Sequence, residues 1–288
     1  MLPVLSPAAC RFLRQLSPKV LAAGRLKKST RQKSVQEVLC WCLAHQLEQV
    51  PGNCLQRPDF YFEPALLQQI AAVQQALGHP DYRLDFSNQS RPDAALQSQI
   101  EQKSIGIKPR QARILLRLPQ PQRLAGIAVQ ELDLDWQQLS LPDYEALLVV
   151  ENLDCFYQLE RFAIELPYQH ILIVYRGDRH YSSGCKALKA AWLSLQKPTI
   201  YFGDFDGKGV SIALHEGYQA MLLPAFAELQ QQVSAAMLPD KQLKFLPATE
   251  QHPTSPAFQP YQQLLCQQLK GLRQQQMQGM ALAPVLLS

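Results

Sequence analysis

The sequence predicts an α/β protein in two parts. Residues 1–135 read as a basic, mainly helical region, and residues 136–288 as a doubly wound, mostly parallel sheet of Rossmann-like type with a C-terminal helix. Three observations carry this prediction. Unalternating apolar runs of four or five residues recur in the second half, separated by helical segments. Apolar residues at near-helical spacing dominate the first third. Charge also divides along the chain: residues 1–130 hold 17 Lys/Arg against 8 Asp/Glu (+9), and residues 131–288 hold 11 against 16 (−5). A basic half joined to an acidic half suggests a surface for a polyanion beside a domain that keeps acids for another purpose.

In the first part, Phe12, Leu13, Leu16, Val20 and Leu21 mark one helix. Val35, Val38, Leu39, Cys42, Leu43 and Leu47 mark a second, which stops before Pro51-Gly52. Between them the segment 25–33 carries Arg25, Lys27, Lys28, Arg31 and Lys33 and reads as a five-cation loop. Pro64–Leu77 is a further helix closed by Gly78 and Pro80. A second basic stretch holds Lys108, Arg110, Arg113 and Arg117, with Ile114, Leu115 and Leu116 as a short strand. The helix-turn-helix signal across this part is weak.

In the second part, strands are expected at Ala146–Val150, Ile171–Val174 and Thr199–Phe202, with a weaker fourth at Leu243–Leu246. Helices are expected at Phe156–Glu165, Ser182–Leu195 and Gly209–Gln231, and a last one at about Pro260–Gln278 lies outside the rhythm. No internal repeat is visible.

Composition excludes several classes. At 288 residues with 47% hydrophobic and 18% charged residues, the chain has material for a core and is not a wholly disordered protein. No apolar run approaches the ~18 residues of a membrane span. Seven cysteines, Cys10, Cys40, Cys42, Cys54, Cys155, Cys185 and Cys266, have no framework spacing and no CxxC pair. They read as reduced thiols in a cytoplasmic protein. The N-terminus has no secretory h-region. Its Arg/Lys content with no acid before Glu37 suits either an organelle presequence or a helix facing DNA.

The chemistry concentrates at strand ends. The first strand of the second part ends in Glu151-Asn152 and the third in Asp204-Phe205-Asp206-Gly207. Sites in open parallel sheets form outside the carboxyl ends of the strands, and Gly203, Gly207 and Gly209 allow an immediate turn there. Three carboxylates in one crevice repel each other unless a hard divalent cation is shared, and Mg²⁺ or Mn²⁺ is the natural partner of such acids and of phosphate substrates. An EF-hand loop is excluded, because no acid stands at its twelfth position and a strand precedes it.

The segments Leu-Leu-Val-Val-Glu-Asn-Leu (147–153) and Tyr-Phe-Gly-Asp-Phe-Asp-Gly-Lys-Gly-Val (201–210) resemble the Toprim domain. They are most like the branch of the topoisomerase VI A subunit and of JetD, the nuclease subunit of Wadjet plasmid-defence systems. The resemblance covers residues 143–215 through these motifs and the remainder of 143–288 by topology. It implies a Toprim domain over 136–288, with Glu151, Asp204 and Asp206 as catalytic, Mg²⁺-binding acids, Glu151 as an option for general acid/base work, and Asn152 holding the turn. Arg176, Arg179 and His180, in the loop after the second strand, and Lys208 beside the acids are candidates to touch phosphate. The implied protein is a Toprim-type DNA endonuclease acting on double-stranded DNA as a homodimer, with an SMC-type ATPase complex as partner in plasmid or phage defence. A winged-helix-like arrangement is an option for the first part.

One departure bears on the reaction. Topoisomerase VI A subunits need a tyrosine nucleophile; the candidates here, Tyr61 and Tyr82, lack flanking paired arginines and read as core packing. Without a nucleophile, water becomes the attacking group. The rival readings are a topoisomerase VI A-like strand-breaking subunit, a non-catalytic DNA-binding or assembly subunit with a remnant Toprim fold, and an enzyme on small phosphate substrates, which the basic first half disfavours.

Overall fold

A computed structural model describes residues 3–85 and 109–288. The chain divides into two compact units between Pro109 and Arg110, not after residue 135 as expected. The reason is that residues 113–135 form a hairpin whose first strand bonds into the sheet of the second unit.

Among the described residues, the first unit packs three helices against a two-stranded ribbon. Helix α1 (Pro7–Ala23) starts at Ser6, whose hydroxyl accepts from the Ala9 N–H at 3.2 Å, and buries Ala9, Leu13, Leu16 and Val20. Strand β1 (Leu26–Ser29) follows, then α2 (Lys33–Ala44), β2 (Asp59–Phe62) and α3 (Pro64–Ala76). The segment expected as a cationic loop therefore begins as a strand. β1 pairs antiparallel with β2, with Lys27 opposite Tyr61 and Lys28 opposite Phe60. The signal was in β2, where Phe60 and Phe62 turn into the core and Tyr61 faces out, a period of two over only four residues.

The second unit is an eight-stranded mixed sheet. Strand β3 (Arg113–Leu124) extends well beyond the expected 114–116 and forms a hairpin with β4 (Ile127–Asp135) through Ala125 and Gly126, both at positive φ (50° and 83°). Next come β5 (Ala146–Val150), α4 (Leu153–Tyr157), the two-residue β6 (Ala163–Ile164), β7 (Ile171–Tyr175), α5 (Ser182–Leu193), β8 (Thr199–Phe202) and α6 (Gly207–His215). The chain ends with β9 (Ala220–Pro224), α7 (Phe226–Gln232), α8 (Leu246–Gln251), α9 (Gln259–Gln268) and β10 (Ala281–Leu286). The strand order is β4-β3-β7-β5-β8-β9-β10-β6. The central strands β7, β5, β8 and β9 run parallel, and β5, β8 and β9 are buried throughout their lengths, as the apolar runs predict.

Several expected elements differ. The weak strand at 243–246 is the end of a 3-10 helix (Asp240–Phe245) leading into α8, and Leu243 is 39% exposed, which a buried strand does not allow. The fourth parallel strand is β9, inside the segment expected as one helix over 209–231. Gly217, at φ +80°, ends that helix, and Ala-Met-Leu-Leu is helix-prone locally yet buried on both faces by the sheet. The helix expected at 156–165 is cut to α4, a 3-10 turn (Leu159–Arg161) and β6. The last helix stops at Leu269, which adopts a left-handed conformation. The chain then makes a 3-10 turn (Gln274–Met277) and adds β10 antiparallel to β9.

Counting the parallel strands by chain order, the sheet reads 2-1-3-4, so the crossovers change direction between the neighbours β5 and β8. In doubly wound sheets with this kind of order, the ligand crevice lies at the carboxyl ends of those two strands.

Candidate functional site

Glu151 and Asp204 stand at the two strand ends that flank the switch point. The Glu151 N–H donates to the Phe202 carbonyl at 2.8 Å, continuing the β5–β8 ladder by one residue. The Glu151 side chain is half-buried, and its Oε2 accepts from the buried Tyr201 hydroxyl at 2.6 Å. Asp204 follows β8 by two residues, and its Oδ1 accepts from the Gln274 N–H at 2.8 Å. Burial first, and then the nearby Asp206 and Glu151 charges, push the Asp204 carboxyl up to about 6, against the lowering effect of the Gln274 N–H.

Asp206 serves the backbone. It is the N-cap of α6: Oδ1 accepts from Gly209 N–H at 2.8 Å and Oδ2 from Gln242 Nε2 at 2.6 Å. At 5% exposure both of its oxygens are already engaged. Asn152 caps α4 in the same way, its Oδ1 accepting from Asp154 and Cys155 N–H.

Gly203, Gly207 and Gly209 are not at positive φ; they are small because other atoms come close. A Cβ on Gly203 would lie 2.5 Å from the Tyr201 hydroxyl and 2.6 Å from Glu151 Oε2. A Cβ on Gly209 would run into the Asp204 carbonyl. The expected reason, freedom to turn, is replaced by close approach of backbone and carboxylates.

Gln274 is the residue that sequence reasoning missed. It is fully buried; its backbone N–H holds Asp204, and its side-chain Oε1 accepts from Asn152 N–H at 3.1 Å, so one residue ties both strand ends. Its Nε2 has no partner. Phe205 and Leu272 exchange backbone hydrogen bonds at 2.8 and 2.9 Å, which brings this segment to the site. Nothing local in a Gln-rich stretch announces such a role.

The remaining expected residues disperse. Lys208 is exposed in the first turn of α6, and Arg179 and His180 are exposed after β7. Arg176 pairs with Glu216 at 2.7 Å, and Arg113 with Asp133 at 2.6 Å; Arg110 is exposed. Lys108 lies outside the described residues. Arg25, Lys27, Lys28, Arg31 and Lys33 belong to the first unit; Lys28 is half-buried and the others exposed, with Lys27 paired to Asp59 at 2.9 Å. Tyr82 is core, as expected. Tyr61 is not: it is 44% exposed, with the Arg25 guanidinium 4.1 Å from its ring centre.

Among the described residues, no group of three or more His, Cys, Asp or Glu is arranged to hold a metal ion. The donors left uncommitted are one oxygen each of Glu151 and Asp204. A cation held through one or two carboxylates, with water and substrate supplying the other ligands, fits that pair. An Asp whose charge is disfavoured by burial and like-charged neighbours gains most from such a counter-charge.

Comparison with known families matches residues 96–283, more than half of the chain, to a domain of unknown function, DUF7281. The chain belongs to this family. The DUF7281 match spans every strand of the sheet in the second unit up to Ala283 within β10, so both acids and Gln274 lie inside the family domain, while α1, α2 and α3 of the first unit precede it. No curated protein matches the chain. All seven cysteines are free, and among the described residues no helix is long and apolar enough to cross a membrane.

Proposed function

We propose that the chain is a divalent-cation-dependent phosphodiesterase of Toprim type, an endonuclease on double-stranded DNA. The observation that carries this reading is the pair Glu151 and Asp204 at the switch point, each with an oxygen uncommitted and Asp204 short of a counter-charge. Mg²⁺ or Mn²⁺ suits such a pair, because these ions take few carboxylates and complete their shell with water and phosphate oxygens. When bound, the cation polarises a phosphodiester and lowers the pKa of an attacking water. The chain's own residues orient the donors: Tyr201 fixes the Glu151 carboxylate, Gln274 fixes Asp204 and the Asn152 turn, and Asp206 holds the start of α6.

DNA would be held by the exposed cations of the first unit, Arg25, Arg31 and Lys33, with Lys27 shared with Asp59. Arg113 and Arg176 already hold acids and have the weaker claim. The homodimer, the SMC-type partner and the winged-helix-like first unit rest on the resemblance to the JetD and topoisomerase VI A branch, and a cytoplasmic location on the reading of the cysteines as reduced thiols.

A second reading, a non-catalytic DNA-binding or assembly subunit, is favoured by one observation: Asp206 is fully committed to its cap and to Gln242. Supercoiled plasmid with Mg²⁺ or Mn²⁺ separates the two. Nicking or linearisation by the wild type that is lost in Glu151→Ala and Asp204→Ala supports the enzyme. DNA retention with no cleavage in any form, including with the products of neighbouring genes added, leaves the assembly reading. For the first unit, the Arg25/Arg31/Lys33 alanine variant should flatten the dependence of log K on log[salt], by about 0.9 for each phosphate no longer neutralised.

A further inference from the structure

A polar cavity lies on the α5 side of the second unit, and neither Glu151 nor Asp204 lines it. It measures about 90 Å³ and is lined by Arg176, Ser182, Lys186, Lys189, Glu216 and Tyr218, among others. At about 30 Å³ of liquid volume for each water it has room for roughly three waters, or for one tetrahedral oxyanion. Three cations face one acid. Glu216 divides its two oxygens between Arg176 Nη2 at 2.7 Å and Lys189 Nζ at 3.1 Å, and the Lys189 ammonium sits 4.2 Å from the centre of the Tyr218 ring. Lys189 is 8% exposed, so its charge is held away from bulk water. Arg176 Nε is buried with no hydrogen-bond partner. A charged donor left unpaired in a buried place costs more than a neutral one, and each such group in a native fold calls for an explanation.

We infer that this cavity is a phosphate-class oxyanion site. An oxyanion would accept from Arg176 Nε, balance the excess of two positive charges, and meet Lys186 at the exposed rim. The Arg–Glu–Lys cluster would serve as its preorganised floor, with guanidinium geometry suited to a planar pair of oxygens. The site is distinct from the acid pair, although buried contacts join them. Tyr218 packs on Tyr201 with ring centres 5.0 Å apart, and Tyr201 bonds Glu151. The inference does not depend on the cation-dependent activity.

The test is calorimetric titration of the full-length protein with inorganic phosphate in EDTA, against a chloride control of equal ionic strength. Saturable binding is expected, weakened about tenfold or more by Arg176→Lys, which keeps the pair with Glu216 but removes Nε. Lys186→Glu, an exposed change that spares the fold, should weaken it as well, whereas Glu151→Gln and Arg31→Ala should not. Competition with short DNA strands then separates the source of the phosphate. Displacement by a 5′-phosphorylated strand and not by its 5′-hydroxyl twin supports a nucleic-acid end, and displacement by neither supports a free phosphate. Binding that is absent in the wild type, or equal in wild type, Arg176→Lys and Lys186→Glu, overturns the site.

Discussion

Tyr201 lies wholly inside the sheet and spends its one hydroxyl proton on Glu151, 2.6 Å away. This bond reaches from the middle of β8 to the end of β5 and sets the direction of the carboxylate. Tyr201→Phe should leave that Glu151 oxygen without its donor and cost about 1–3 kcal/mol. For the proposed phosphodiesterase, turnover should fall while KM for DNA changes little. A melting curve and a Michaelis analysis check the two effects, and unchanged turnover would remove Tyr201 from the positioning role.

Gly203→Ala tests the same pair from the other side. A Cβ there would stand within 2.6 Å of both the Tyr201 hydroxyl and Glu151 Oε2, so one of them must move. A loss of about 1–3 kcal/mol is expected from overpacking. Because the backbone here is not left-handed, the cost is steric, and Gly203→Ala in a Tyr201→Phe background should cost less than in the wild type.

Asp204 makes stability depend on pH and on cations. Its folded carboxyl is raised to about 6 from an ordinary 3.8, so below about pH 4 it is protonated in both states and costs nothing. Between those values the folded chain keeps a proton that the unfolded chain has released. Stability therefore falls as pH rises and settles above about 6, by at most about 3 kcal/mol and less with solvent screening. Asp204→Asn should flatten this slope and raise the melting temperature at pH 8. Mg²⁺ should stabilise the wild type above pH 6 and leave the variant unmoved; equal Mg²⁺ responses would separate Asp204 from the cation.

Asp206 and Asp204 should part company. Asp206→Asn keeps an N-cap oxygen for Gly209, and the Gln242 amide can turn to accept from the new NH₂, so the fold should lose little. Cation-dependent stabilisation should survive in this variant and vanish in Asp204→Asn. Differential scanning fluorimetry with and without Mg²⁺ reads both, and loss in Asp206→Asn would make it a ligand after all.

Gln274→Ala keeps the backbone bond to Asp204 and removes the acceptor for Asn152 N–H. At a fully buried position this should cost about 1–3 kcal/mol and weaken Mg²⁺ stabilisation several-fold. Unaltered Mg²⁺ dependence in a destabilised variant would confine Gln274 to packing.

Much of this was written locally. Val149-Val150-Glu151 and Phe202-Gly203-Asp204 announced two buried strands ending in acids, because a strand buried on both faces must be apolar until it leaves the sheet. β9 and β10 were not legible in the same way. Ala-Met-Leu-Leu and Ala-Leu-Ala-Pro have no β-branched run, and only packing against neighbouring strands makes them extended. Asp204 and Asp206 looked equivalent as Asp-x-Asp, yet one lacks a counter-charge and the other is a cap, a difference set by Gln274 and Gln242 from elsewhere in the chain.

The order of residues by itself determined the class of the second unit, the parallel strands β5, β7 and β8 and the acids that end β5 and β8, since burial and chain direction impose short-range patterns. The tertiary structure alone decided that the hairpin at 113–135 joins that sheet, that Gln274 clamps the two strand ends, and that Arg176, Lys189 and Glu216 enclose a cavity. Each of these depends on contacts between residues tens of positions apart, and such contacts leave no period in the sequence to read.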